Sequence, residues 1–315
     1  MIYKISVLLS LYKEPLSWIK QSIDSILFQN DVNVIFEIEL VIVIDNPNLK
    51  DDEDLKVFLS SLKSDVKIIF NEKNQGLAKS LNIAFSHCSG DFIARMDADD
   101  ICEKERFTEQ LLFLLSNPKV DLVGSGITRI DEGGVPFSVS ILPSDFDTLS
   151  KMSKYRSICY HPTWLMRREL FLALNGYRPF PNSQDFDFIN RMILSGKVIS
   201  NIEKALLKYR VNSGSISVKN SYIQKRCQRY SLKTLYGDSN FTEYKMVEFI
   251  YKKGVDSKLH PYSQKLYLTG MRKKNYLSKT FFVFISCVLS FEQSLYVFRL
   301  LKYSIYNKLG MIKNG

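Results

Sequence analysis

Two aspartates placed two residues apart could hold a divalent cation. Asp97 and Asp99 lie in the segment Arg95-Met-Asp-Ala-Asp-Asp, directly after the apolar residues 92–94. Two carboxylates at this spacing repel each other unless a cation is present, and Mg²⁺ or Mn²⁺ bound by carboxylates and substrate phosphates removes that repulsion. The alternative interpretation is a solvated acidic turn in which Asp100 caps a helix.

A second acidic pair, Asp185 and Asp187, lies in the segment Asn182-Ser-Gln-Asp-Phe-Asp-Phe-Ile-Asn-Arg. Residues two apart do not share a helical face, so one carboxylate can point into a cleft while the other caps or pairs. A carboxylate here could act as general base towards a hydroxyl group. The alternative is an ordinary helix N-terminus, where acidic residues are favoured.

Two further segments could contact a nucleotide. Asp45 ends an unbroken apolar strand and could accept a hydrogen bond from a base or ribose, although an Asx turn through residues 46–48 is an equal alternative. Gly76 precedes a helical segment whose free N–H groups suit phosphate, and Lys79 adds a positive charge. A routine turn and cap would look the same, and the glycine spacing is neither that of a Walker loop nor that of a Rossmann loop.

Alternating strand and helix signals bring these residues to one edge of a sheet. We predict strands over residues 5–11, 37–45, 67–70 and 91–96, with helices opening at Pro15 and running over about 76–86. Repeated strand–helix–strand units imply a mostly parallel sheet with helices on both faces, and ligands bind at the carboxyl ends of such strands. The polar residues that follow the four strands should therefore form a single site.

The rest of the chain changes character twice. Residues 120–215 look mixed, with a hairpin turn at Glu132-Gly-Gly, a helix over 185–194 and a strand over 205–211. Beyond residue 216 the strand signals fade and helical spacing dominates. We predict a boundary near residue 215, in the polar stretch that begins at Asn212.

Charge is distributed unevenly along the chain. The net charge is +10, but residues 1–215 contain 25 Lys and Arg against 28 Asp and Glu, whereas residues 216–315 contain 18 against five. A basic excess confined to the last third suggests an anionic partner, either nucleic acid or an anionic membrane surface. An ordinary helical cap with a solvated basic face is the alternative.

Cysteine usage and hydropathy indicate a reducing cytoplasm. The five cysteines include no Cys-x-x-Cys pair, which argues against a disulfide framework or a zinc ribbon. The N-terminus reads as a strand and lacks the features of a signal peptide. The longest apolar run, residues 280–291, is too short to span a bilayer and predicts either a buried helix or a segment lying on a membrane.

Five ordered motifs over about residues 3–215 together resemble the family 2 glycosyltransferases of the GT-A fold. They are Ser6-Val-Leu-Leu-Ser-Leu-Tyr-Lys-Glu, Asp45, Asn74-Gln-Gly-Leu, Gly90-Asp-Phe-Ile-Ala-Arg-Met-Asp-Ala-Asp-Asp, and Gln184-Asp-Phe-Asp-Phe-Ile-Asn-Arg. The resemblance implies an α/β GT-A domain over 1–215, with a nucleotide-sugar half at about 1–100 and an acceptor half at 101–215. Residues 216–315 would form a basic helical C-terminal extension.

The resemblance also implies roles for individual residues. Asp99, with Asp97, would hold Mn²⁺ or Mg²⁺, and Asp185 would be the catalytic base of an inverting displacement. The nucleotide sugar would be bound by Ser10, Leu11, Tyr12, Glu14, Asp45, Asn74, Gly76, Lys79, Asp97, Ala98 and Asp99. On the acceptor side we place His161, Gln184 and Arg191.

Two positions depart from the common pattern of the family. Gln184 stands where many relatives have Glu before the base, a variant that also occurs in the family. Many relatives have a His near the end of the domain, where Tyr209-Arg-Val-Asn212 has Asn, so a third metal ligand is not expected there. A structural part for His161 is the alternative to its place on the acceptor side.

The resemblance therefore predicts a glycosyltransferase of the hexosyltransferase class, working with a nucleotide-diphosphate sugar of the UDP type. The acceptor would be a saccharide of a surface polysaccharide (O-antigen, capsule or lipopolysaccharide), with linkage to polyprenyl diphosphate as one form. We expect a cytoplasmic protein that could lie at the inner face of the cell membrane, and no nucleic acid as partner. The alternative is a nucleic-acid-binding or membrane-binding protein with a silent GT-A domain. A nucleotidyltransferase is disfavoured because residues 11–15 are not a Gly-rich loop.

Overall fold

The computed structural model describes residues 2–29, 36–62, 66–212, 220–237, 239–252 and 254–308. The strands are β1 (Tyr3–Leu11), β2 (Phe36–Ile44), β3 (Val66–Phe70), β4 (Phe92–Asp97), β5 (Ile101–Cys102), β6 (Leu122–Ile130), β7 (Pro136–Ser140), β8 (Leu165–Arg167) and β9 (Ile199–Arg210). The first seven helices are α1 (Leu16–Leu27), α2 (Glu53–Ser60), α3 (Leu77–Ser86), α4 (Arg106–Ser116), α5 (Phe146–Met152), α6 (Arg168–Ala173) and α7 (Gln184–Leu194). They are followed by α8 (Ser221–Tyr236), α9 (Glu243–Tyr251), α10 (Val255–Met271), α11 (Tyr276–Leu289) and α12 (Phe291–Lys308).

The strands form one curled sheet in the order β3-β2-β1-β4-β8-β6-β9-β5, with β7 paired to β6. The half built from β3, β2, β1 and β4 is entirely parallel. Residues 7–9 of β1 and 40–44 of β2 are apolar and fully buried because helices cover the sheet on both faces. The α/β class and the parallel sheet predicted for about the first hundred residues are confirmed.

The second half of the sheet mixes directions. β8 pairs antiparallel with both β4 and β6, whereas β6 and β9 are parallel. β6 and β7 form the hairpin predicted at Glu132-Gly-Gly, closed by a hydrogen bond from the Asp131 N–H to the Val135 carbonyl of 3.0 Å. This mixture is the part of the sheet that strand periodicity alone did not indicate.

Two apolar clusters lie on the two faces of the sheet. One joins β1 and β2 to α1 and α4, with Ile5, Leu9, Ile42 and Phe107 fully buried. The other joins the opposite face to α3, α6 and α7, around Trp164. Alternate residues of one strand point to opposite faces, so Leu8 and Leu9 belong to different clusters.

Helices α8 to α12 follow the sheet region, which confirms the predicted helical C-terminal extension. The boundary predicted near residue 215 lies among residues 213–219, outside the described residues. None of the described helices combines the length and the hydropathy that crossing a bilayer requires. The apolar run at 280–291 forms most of α11, and its large side chains are either exposed or half-buried, with none fully buried.

Candidate active site

The carboxyl ends of four parallel strands meet at one edge of the sheet. The register pairs Ser10 with Asp97, Leu11 with Ile44, and Ile44 with Phe70. The residues that follow these positions therefore share one rim, as the sequence predicts. Three of the five motifs, those that contain Tyr12, Asp45 and Asp97, come together through backbone pairing alone.

Asp97, Asp99 and Asp100 form an acidic cluster at this rim. One carboxylate oxygen from each lies within 4.8 Å of the others. Burial and the neighbouring Asp97 and Glu14 raise the pKa of Asp99 to about 7, and burial raises that of Asp100 well above its ordinary value. Asp100 Oδ2 is buried without a hydrogen-bond partner among the described residues. A hard divalent cation fits this set because it accepts oxygen ligands and offsets the repulsion between carboxylates.

Arg210, at the end of β9, fixes the acidic loop. Its backbone N–H donates to Asp100 Oδ1 at 2.8 Å, and its Nε donates to the Asp99 carbonyl at 2.8 Å. The rest of the guanidinium donates to the carbonyl groups of Asp131 and Glu132 and to Gln21 Oε1. Arg210 thereby ties the loop to α1 and to the β6–β7 hairpin.

Asn212 lies beside the same carboxylates. Its Nδ2 is 3.3 Å from Asp99 Oδ2. The two ends of a side-chain amide are alike in shape, so a rotation would direct Oδ1 to a cation in that place. The substitution of Asn for the family's His therefore leaves an oxygen donor within reach of the cluster.

Arg95 and Glu14 set the charge around Asp97. The Arg95 guanidinium is fully buried and forms a short ion pair with Asp97, while its Nε and Nη1 have no partner among the described residues. Glu14 Oε2 accepts hydrogen bonds from the N–H groups of Tyr12 and Lys13, at 2.7 and 3.1 Å, and its burial raises its pKa. Glu14 thus holds the loop after β1 in place by accepting hydrogen bonds from two of its backbone N–H groups.

Asp45 organises the turn before α3. Its carboxylate accepts hydrogen bonds from Asn71 Nδ2, the Gln75 N–H and the Gly76 N–H, at 2.7–2.8 Å. Asn74 Oδ1 also accepts from the Gly76 N–H, at 2.9 Å. Gly76 has a φ of +80°, in the left-handed region that favours glycine. The Asp45 and Asn-x-Gly motifs, 30 residues apart, are therefore one structure.

Asp185 stands in the first turn of α7, close enough to Arg95 and Asp97 for their charges to act on it. The helix starts after Ser183, which has a φ of 61°, a costly conformation for a residue other than glycine. Burial raises the pKa of Asp185, against the lowering influence of Arg95. Asp185 lines a small cavity of about 10 Å³ together with Arg156, Cys159 and Trp164.

Asp187 points away from that cavity and holds α7 in place. It is fully buried and accepts hydrogen bonds from Arg191 Nε and Ser231 Oγ, both at 2.8 Å. The other two guanidinium nitrogens of Arg191 donate to the carbonyl groups of Leu174 and Gly176. All three nitrogens of Arg191 are thus used within the protein, which gives it a structural part instead of a free place on the acceptor side.

Of four other residues predicted for the site, three are buried and one is half exposed. His161 is buried, with Nε2 2.8 Å from the Tyr177 hydroxyl and its ring against Trp164, and burial lowers its pKa. Gln184 is buried at the start of α7, and Ala98 is buried within the acidic loop. Lys79 is half exposed and pairs with Glu243 of α9 at 3.3 Å.

Two residues of the site were missed by sequence reasoning. Asp100 and Arg210 are absent from the predicted set, and Asp100 enters the sequence interpretation only as the helix cap of the alternative. The sequence signal for Asp100 is its place directly beside the Asp-x-Asp pair. Arg210 acts across 111 residues of sequence, and only the pairing of β5 with β9 brings it to the loop.

Comparisons with known proteins agree with this geometry. The model of the family described as glycosyl transferase family 2 matches residues 6–174. An uncharacterized glycosyltransferase of Methanocaldococcus jannaschii is 32% identical over 73% of this chain and 78% of its own length. The O-antigen biosynthesis glycosyltransferase WbnJ of Escherichia coli is 29% identical over 73% of this chain and 87% of its own.

Among solved structures, the chain is similar to residues 1–349 of Staphylococcus aureus TarS in complex with UDP. The TM-score is 0.56 at 20% identity, covering 85% of this chain and 79% of that one. This likeness shows the GT-A fold. With the family model covering more than half of its residues, the chain belongs to glycosyl transferase family 2 and is a glycosyltransferase.

Proposed function

We propose that this enzyme moves a sugar from a nucleotide-diphosphate donor of the UDP type to a saccharide acceptor, with inversion at the anomeric carbon. The observation that supports it best is an acidic cluster with a second buried carboxylate near it. Asp97, Asp99 and Asp100 form the cluster at the end of β4. Asp185 is close enough for the charge of Asp97 to act on it, and burial raises its pKa. One site suits a metal-bound diphosphate and the other suits proton removal.

On the donor side, Asp99 and Asp97 would hold Mn²⁺ or Mg²⁺, with Asp100 beside them. The cation, when bound, stabilises the negative charge that grows on the departing diphosphate. Tyr12 and Asp45 would bind the base, Ser10, Leu11 and Glu14 would line its loop, and the N-terminus of α3 would face phosphate. The polar ends of four strands support this placement.

On the acceptor side, Asp185 would take the proton of the attacking hydroxyl. A carboxylate whose pKa is raised by burial is a stronger base than one in water, and the hydroxyl must be approached from the face opposite the diphosphate. Gln184 and the buried pair of His161 and Tyr177 would shape this side, with Asp187 and Arg191 holding α7.

The acceptor would be a saccharide of a surface polysaccharide such as O-antigen, capsule or lipopolysaccharide, linked to polyprenyl diphosphate. The similarity to an O-antigen biosynthesis enzyme supports the first part. The basic excess after residue 216 supports the second because polyprenyl diphosphate is an anion held at an anionic surface. The enzyme would then work at the inner face of the cell membrane.

Thermal unfolding with added nucleotide tests the donor site. Wild type is titrated with UDP, GDP and dTDP, with and without Mn²⁺. A ligand that binds only the folded state raises the midpoint, by about 5 °C at a hundred times its Kd. We expect a Mn²⁺-dependent rise with UDP that Asp99→Ala abolishes and that Asp54→Ala, at an exposed carboxylate of α2, retains. The absence of any rise with all three nucleotides would contradict the proposal.

A further inference from the structure

Helix α11 turns its most apolar side to solvent. Leu277, Phe281, Phe284 and Val288 recur every three to four residues, so they form one stripe, and each is 60–77% exposed. The opposite side packs on α10, where Ser263 Oγ donates to the Ser286 carbonyl at 2.6 Å. A helix of a water-soluble surface has the reverse arrangement, with its large apolar residues inside.

Helix α12 continues this pattern. Its inner side carries Arg299, Tyr303 and Tyr306, which contact α8 and the sheet region. Its outer side carries large apolar residues that are 36–67% exposed, namely Phe291, Leu295, Phe298, Leu301 and Ile305. The two stripes supply nine large apolar side chains to the surface, and a concentration of this kind marks a binding surface.

The three helices α10 to α12 carry a net positive charge. Residues 255–308 contain nine Lys and Arg against two acidic residues, Asp256 and Glu292. Asp256 accepts hydrogen bonds from the N–H groups of Phe291 and Glu292, and Glu292 is buried between Arg226 and Arg229. The exposed basic residues are Lys258, Lys265, Arg272, Lys273, Lys274 and Lys302. With nine basic and two acidic residues, residues 255–308 have a net charge of +7.

We propose that the outer stripes of α11 and α12 dock this enzyme on an anionic lipid bilayer. Phenylalanine and leucine side chains enter the boundary between headgroups and acyl chains, and the exposed basic residues of α10 to α12 attract anionic headgroups. The helices would lie in the interface and not cross it. A second copy of the chain fits less well because it would bring the same positive charge to the contact.

The docked helix also contacts a segment next to the cavity that Asp185 lines. The ring centroids of Tyr303 and Tyr306 lie 6.1 and 6.2 Å from that of Tyr155. Tyr155 does not line the cavity, but its neighbour Arg156 does. Docking through α12 would therefore hold the segment beside Asp185, where the acceptor would approach, close to the lipid surface. This last step rests on the proposed function, whereas the docking itself does not.

Vesicle sedimentation tests the docking. Full-length protein is mixed with vesicles of phosphatidylcholine alone, or of phosphatidylcholine and phosphatidylglycerol at three to one. We expect binding to the anionic vesicles to exceed binding to the neutral ones by roughly tenfold or more, and to weaken in high salt. The triple variant Phe281→Ser, Phe284→Ser, Phe298→Ser should lose roughly tenfold or more of it. Lys273→Glu with Lys274→Glu should weaken binding to the anionic vesicles only.

A matched triple variant controls for the loss of exposed apolar residues in general. Tyr244→Ser, Val247→Ser and Tyr251→Ser lie on α9, outside the stripes, and should keep wild-type binding. Both triple variants should keep the thermal midpoint and its rise with UDP. The proposal would be overturned if wild type and the triple variant of Phe281, Phe284 and Phe298 (the stripe variant) bound vesicles equally. It would also be overturned if wild type showed no preference for anionic vesicles. A dimer in size-exclusion chromatography that only the stripe variant loses would assign the surface to a second copy. The assay contains neither nucleotide nor acceptor, so its failure would leave the donor site unaffected.

Discussion

The sheet region and the last two helices place their apolar side chains in opposite ways. Leu9 and Ile42 in the sheet are fully buried, whereas Phe284 of α11 and Phe298 of α12 are about two-thirds exposed. In both regions the apolar residues recur at the period of the strand or helix that carries them. The difference teaches that periodicity identifies an apolar face but not whether protein, lipid or water covers it.

The largest expected effect is on the rate of sugar transfer, which should depend on Asp185 and not on the exposed stripes. Asp185→Asn should lower the rate of sugar transfer by roughly 10²- to 10⁴-fold, because the amide cannot take the proton of the acceptor hydroxyl. Release of nucleoside diphosphate from the donor sugar in the presence of acceptor measures this rate. The rise in midpoint with UDP should remain.

The stripe variant provides the matching control. With a water-soluble acceptor, Phe281→Ser, Phe284→Ser, Phe298→Ser should transfer sugar at close to the wild-type rate. If Asp185→Asn were nearly as active as wild type, or the stripe variant as inactive as Asp185→Asn, the separation between the two regions would be lost.

The free energy of unfolding distinguishes the buried apolar side chains of the sheet from the exposed ones of α11 and α12. Leu9→Ala should reduce the free energy of unfolding by about 2–5 kcal/mol, because it leaves a cavity between β1 and α1. Phe284→Ala should change it by less than about 0.5 kcal/mol, because its ring lies in solvent. Chemical denaturation of both variants gives the two values. A loss at Phe284 as large as that at Leu9 would mean that protein already covers the stripe.

Acid should weaken the C-terminal helices before the sheet. His260 is buried, with Nδ1 2.7 Å from Ser290 Oγ and Nε2 3.1 Å from Ser221 Oγ. Burial, together with the charge of Lys225 and against that of Asp256, lowers the pKa of His260 to about 4. Because the unfolded chain binds this proton more readily, stability should fall as the pH drops from about 6.5 to 4, by on the order of 1–3 kcal/mol.

Denaturation of wild type and His260→Gln across this pH range measures the contribution. The glutamine variant should lose less stability than wild type between pH 6.5 and 4. Parallel pH curves for the two proteins would show that other groups cause the acid sensitivity.

The smallest effect is expected within the metal loop. Asn212→Ala should raise the Mn²⁺ concentration needed for the UDP-dependent midpoint shift by roughly tenfold, because a donor beside Asp99 is removed. Asn48→Ala, at an exposed asparagine of the turn after β2, should leave that concentration unchanged. An unchanged requirement in Asn212→Ala would limit the cation site to the carboxylates.

The parallel half of the sheet was predictable because each of its strands contains a short apolar run and ends at or just before a polar residue. The position of Asp97 at the end of β4 follows from that pattern. The tie between Arg210 and the acidic loop could not be read from the sequence, because it depends on a strand that arrives 110 residues later. The exposed side of α11 was equally hidden, since the run at 280–291 predicted burial and membrane contact alike.

The attachment of Arg210 has a consequence for local motion. A loop of four residues would ordinarily open by itself and exchange its amide protons quickly. Here Arg210, which also contacts α1 and the hairpin after β6, holds the loop by two hydrogen bonds, so the loop opens only when both of these bonds break. Its amides should exchange through the same cooperative opening that exposes the edge of the sheet, which makes the metal loop part of one folding unit with β9.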